Sequence, residues 1–208
     1  MNDNKFLRNF ECEVRSAHDE EHGDYITGQP IVFGVMADIG GIFGETIDEG
    51  ALDDTDLRDV RFLVNHNTDM IPLARSRNNN ENSTMQMTVG EDGMAIRVDL
   101  DTENNADARS LYSAVSRGDI SGMSFMFTVD GDSWDDMESD HPTRRIRKID
   151  RVFEVSAVTF PAYAQTSIQA RGLSETLESA KESLESARAA SRAIERQKRK
   201  IRILTEVL

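Results

Sequence analysis

One histidine, one serine and one carboxylate lie in apolar, strand-like frames, in that order along the chain. His66 is set in VRFLVNHN (60–67), Ser124 in GDISGMSFMF (118–127), and Glu154 in RVFEVSAVTFPAY (151–163). A base, a nucleophile and an acid that orients the base are the ingredients of serine-type acyl transfer. Each residue also has a plainer reading. A strand histidine can be a satisfied core residue, and a buried serine is usually bonded to backbone. Glu154 has an apolar neighbour on either side, and a buried carboxylate needs a partner to stay ionised. An imidazole N–H would be one. Ser121, three residues before Ser124, is the alternative nucleophile. Asp150, in KIDR, is the alternative acid, although a salt bridge with Arg147 or Arg151 would explain it. Gly122, between the two serines, permits the close backbone approach that an oxyanion site of N–H groups needs. Arg75, Arg144 and Arg145 are side chains that could assist.

Five segments in order resemble the prohead (capsid maturation) proteases of tailed bacteriophages, serine peptidases similar to herpesvirus assemblin. They are IVFGV (31–35), GIFGETIDEGAL (41–52), FLVNH (62–66), GDISGMSFMF (118–127) and EVSAVTFPAY (154–163). The resemblance spans roughly residues 26–171. It implies that His66 is the base and Ser124, the serine of the MSF segment, the nucleophile. The herpesvirus relatives use a second histidine as third member. No histidine follows His141 here, so Glu154 is the residue of that region able to fix the imidazole tautomer. After the histidine segment, relatives carry an LGR-like turn. This chain has LAR (73–75) and then an asparagine-rich insert, NNNENST (78–84).

The resemblance further implies an endopeptidase that cleaves the scaffold segment of the major capsid protein, and itself, inside assembling proheads in the host cytoplasm. A non-catalytic assembly or scaffolding protein on the same fold is the alternative. A third class, a metal-dependent hydrolase, would rest on His18 and His22, four residues apart. Gly23 and the absence of apolar periodicity favour a solvated turn there. No cofactor or metal is called for.

The 208 residues are 38% hydrophobic and 30% charged, with net charge −14. From Leu173 onward there are eight basic and six acidic residues, against sixteen and thirty-two before it. An acidic body argues against nucleic-acid binding, which needs a basic face. Cys12 is the only cysteine, so no intrachain disulfide can form. The N-terminal segment has no signal-peptide pattern, and no apolar run approaches a membrane span. The chain therefore reads as soluble and intracellular.

Many short strand patterns surround one helix. Met85, Met87 and Val89 alternate before GEDG (90–93), and Ile96, Val98 and Leu100 after it, which predicts a hairpin. Residues 104–117 read as a helix stopped by Gly118. Residues 26–36 read as an edge or bent strand because of Gly28 and Pro30. Residues 131–142 read as an acidic loop, and 166–170 as a last strand. The expected fold is α+β, mainly antiparallel β: a closed β-barrel core with flanking helices, residues 1–172, and a helical tail, residues 173–208. The tail carries Leu173, Leu177, Ala180, Leu184 and Ala187 at heptad-like steps. It is acidic first and basic last, the order that the helix dipole favours. A polar-interrupted seam suits self-association or folding on a partner.

Overall fold

A computed structural model describes residues 5–11, 14–159 and 172–206. The predicted strand 166–170 lies outside them. Among the described residues eleven strands form two sheets. The larger contains β1 (Lys5–Glu11), β4 (Ala37–Ile39), β5 (Phe43–Ile47), β6 (Val60–Val64), β7 (Ala74–Ser76), β10 (Gly122–Asp135) and β11 (Thr143–Val158). Its main path runs β1-β10-β11-β5-β4, while β6 pairs with β11 and β7 with β6. The smaller sheet is β2 (Arg15–Asp19), β3 (Gly23–Val32), β9 (Gly93–Asp99) and β8 (Met85–Gly90), in the order β2-β3-β9-β8.

The expected closed barrel is wrong. Among the described residues β1 pairs only with β10 and β4 only with β5, so the larger sheet keeps free edges. The reason lies in β11, which is 16 residues long. One side follows β10 antiparallel. The other divides between two parallel neighbours, β5 at Thr143–Ile146 and β6 at Glu154–Ala157. Neither branch returns to the far side of the sheet: among the described residues neither β4 nor β7 pairs with β1. Four register shifts in the β10–β11 pair bend it further.

The interior is mostly apolar. Phe43, Phe62, Phe125, Phe127, Ile146 and Ile149 are fully buried. Removing each of these side chains from water is worth roughly 1.5–3 kcal/mol. The predicted hairpin is β8–β9, in register from Met85↔Val98 to Gly90↔Gly93. The predicted helix is α1 (Ala106–Ser116), where the Asn105 side chain accepts from the Asp107 and Ala108 N–H groups. Gly118 follows at φ +76, the left-handed position that ends it.

Other expectations shift. β3 is bent as expected, with a register break between Gly28 and Ile31 around Pro30, but it spans Gly23–Val32 and lies inside its sheet, not at an edge. The acidic stretch 131–135 continues β10 and is not loop. The asparagine-rich insert is pinned: Asn79 Nδ2 donates to the Met87 carbonyl at 2.6 Å, and its Oδ1 accepts from the Met87 N–H at 3.0 Å. α2 (Gly172–Glu206) docks on the body through buried Leu184. Arg188 donates there to the Met137 and Ser139 carbonyls. Ile194 and Ile201, farther along, are exposed.

Candidate active site

His66 follows β6 directly. Asn65 and His66 have φ 51° and 56°, two consecutive left-handed residues that turn the chain off the strand. Asparagine and histidine tolerate this region better than most residues. The turn is held from outside. The Asn65 N–H donates to the Ala157 carbonyl at 2.9 Å, and Asn65 Oδ1 accepts from the Thr159 N–H at 3.0 Å. The His66 N–H donates to Ser156 Oγ at 3.1 Å.

The imidazole Nδ1 lies 2.5 Å from Glu154 Oε1. An ionised carboxylate only accepts, so this contact keeps the proton on Nδ1 and the lone pair on Nε2. Glu154 is buried. Its second oxygen, Oε2, accepts from Ser156 Oγ at 2.6 Å. Ser156 therefore touches both the carboxylate and the backbone of the histidine. It is the site residue that sequence reading missed. Its position two residues after Glu154, on the same face of a strand, was the available signal. Asn65, beside His66, was missed for want of any local sign of its role.

Ser124 stands directly opposite Ser156 in the β10–β11 pair. Opposed residues of an antiparallel pair share a face, with Cβ atoms about 4.5–5.5 Å apart. Ser124, Ser156, Glu154 and the turn bearing His66 thus gather on three neighbouring strands, from segments about ninety residues apart in one case. Ser124 is fully buried, and its Oγ donates to the Arg8 carbonyl of β1 at 2.9 Å. Ser121 precedes β10 and is exposed. Asp150 is exposed and accepts from Thr128 Oγ1 at 3.1 Å.

The cationic side chains considered as helpers are engaged by carboxylates. Arg75 is paired with Asp59, Arg145 with Asp135 and Asp48, and Arg144 with Glu45 and Asp132. Arg8 joins Arg144 on Glu45 to form a buried triad. Burial works to raise the Glu45 carboxyl, but Arg8 and then Arg144 outweigh it and hold it below its ordinary value. His18 pairs with Asp24 at 2.8 Å, and His22 lies 3.4 Å from Asp19. His141 Nε2 lies 3.1 Å from Asp38. Among the described residues no cluster of three metal-ligating side chains forms.

A histidine oriented by a buried carboxylate, with a serine on the adjoining strand, is the kind of site serine peptidases use. Residues 10–181 match the family model of the caudovirus prohead serine proteases, and the chain belongs to that family. No curated protein and no solved structure matches it. Family membership makes it a serine peptidase of bacteriophage capsid maturation, with capsid proteins as substrates, acting in assembling proheads in the host cell. Among the described residues no helix is long and apolar enough to cross a membrane.

Proposed function

We propose that Ser124 is the nucleophile, His66 the base and Glu154 its orienting acid, in an endopeptidase that cleaves the scaffold segment of the capsid protein and its own chain. The observation that carries this reading is the 2.5 Å contact between His66 Nδ1 and buried Glu154, beside the strand bearing Ser124. His66 Nε2 takes the Ser124 proton as Oγ attacks the scissile carbonyl carbon. The tetrahedral intermediate collapses when the imidazolium returns that proton to the leaving amine. Water, deprotonated by the same nitrogen, then releases the acyl group and restores the serine. Glu154 stabilises the imidazolium throughout and does not itself take the proton. Backbone N–H groups are the oxyanion donors this reading favours, since the guanidinium groups of Arg75, Arg144 and Arg145 are committed to carboxylates.

The test is co-expression with the cognate capsid protein, comparing the native chain with Ser124→Ala by product mass. Ser124→Ala should lower the rate at least about 10³-fold, with the fold intact. Full activity in that variant, with loss in Ser121→Ala, would move the nucleophile to Ser121.

A further inference from the structure

We propose that the outer edge of β10 is the docking edge for an extended substrate segment, and that β1 is its resident occupant. This rests on Ser124 as the nucleophile. β1 runs antiparallel along β10 with Asn9 opposite Ser124, and leaves Ser124 with no exposed surface. The hydroxyl proton is directed at the Arg8 carbonyl oxygen, 2.9 Å away. Attack requires the reverse arrangement, with the proton directed at the imidazole and a lone pair at a carbonyl carbon. The resting contact is therefore unproductive, although it holds a peptide carbonyl beside Oγ.

Three features suit β1 to leave. Among the described residues it pairs with one strand only, at the border of the sheet. An incoming extended peptide can replace its ladder of N–H and C=O bonds on β10 one for one, as in strand addition at a sheet edge. When Arg8 departs, Glu45 retains Arg144, whose Nη1 lies 3.2 Å from Oε2. Release thus avoids stranding a buried carboxylate, the costliest result of breaking such a network. What holds β1 is equally specific: buried Phe6, 5.8 Å from Phe127 between ring centroids and 4.6 Å under the Arg144 guanidinium, the Arg8–Glu45 pair, and contacts with β3 and α2. A segment taking this place would set an apolar and then a basic side chain where Phe6 and Arg8 now lie. The acidic body, which carries twice as many acidic as basic residues before Leu173, favours a basic segment.

The experiment uses the full chain and a fluorophosphonate, whose phosphorus is attacked by Ser Oγ with loss of fluoride, so that labelling reports an accessible, activated serine. Leu7 and Met126 are register partners. Opposed strand residues have the Cα separation that a disulfide spans. In a Cys12→Ser background, Leu7→Cys with Met126→Cys should lock β1 when oxidised. Labelling of Ser124 and cleavage of the capsid protein should each fall at least about tenfold and return on reduction, since rate follows the open fraction. Arg8→Ala, which loosens β1, should speed labelling. Equal labelling of Ser124 in the oxidised and reduced forms, or slower labelling in Arg8→Ala, overturns the proposal while leaving Ser124 as nucleophile. Labelling that maps to Ser121 instead overturns the reading on which it rests.

Discussion

At His66 the chain turns through two left-handed residues, a conformation the surrounding contacts must hold in place. The imidazole is oriented by Glu154, and that carboxylate by the Ser156 hydroxyl. The roles can be separated by substitution. His66→Ala should be as inactive as Ser124→Ala in the capsid-cleavage assay. Glu154→Gln should retain more activity than either, because it keeps shape and a hydrogen bond but cannot stabilise an imidazolium. A fully active Glu154→Gln alongside an inactive Asp150→Asn would transfer the role to Asp150. Ser156→Ala leaves Glu154 Oε2 without its donor and the His66 N–H without its acceptor. Urea unfolding should show a loss of about 1–3 kcal/mol, the usual cost of unpaired buried polar groups. The rate loss should be smaller than in Ser124→Ala, since Ser156 acts through its neighbours.

Among the elements, β1 depends most on a single ionisation. Glu45 binds Arg8 of β1 and Arg144 of β11 from the opposite side of the sheet to Ser124. Its carboxyl is held below its ordinary 4.5. A depressed carboxylate adds stability that is complete above the ordinary value and disappears as pH falls through the lowered one. Acid titration should therefore loosen β1 below about pH 4.5, and not on the alkaline side. Glu45→Gln should cost about 3–5 kcal/mol at neutral pH, as expected for removing one partner of a buried ion pair. Its thermal midpoint should then fall less than the native chain's between pH 5 and pH 3. An equal fall in both would show that other carboxylates govern the acid limb.

For the whole molecule, the question is what α2 is for. Leu184 and Arg188 fasten its middle to the body, while Ile194 and Ile201 stay in water on a half rich in basic residues. A helix with so broken an apolar stripe is marginal by itself in water. We propose that this half recruits the enzyme to scaffold or to a second copy. A chain truncated after Arg171 should fold and still cleave a short peptide, since the two sheets and their core lie before it. Its incorporation into proheads, measured by the protease content of purified particles, should drop. Normal incorporation would assign recruitment elsewhere.

Local chemistry made several parts of this protein readable from sequence alone. Gly118 stops α1 as its sequence predicts, because a helix stop is set by neighbouring residues. The β8–β9 hairpin follows from period-two alternation about a glycine turn. His66, Ser124 and Glu154 were legible as residue types in apolar frames, and their order matched a family pattern. Tertiary structure alone decided which of them meet. Alternation tells which residues share a face but not which strand comes to lie alongside. The Glu154–His66 contact joins positions 88 apart, and the Ser124–Arg8 contact positions 116 apart. The fork of β11, the covering of Ser124 by β1 and the contact of Ser156 with the His66 N–H depend on such distant pairings, for which no short stretch of sequence carries a signal.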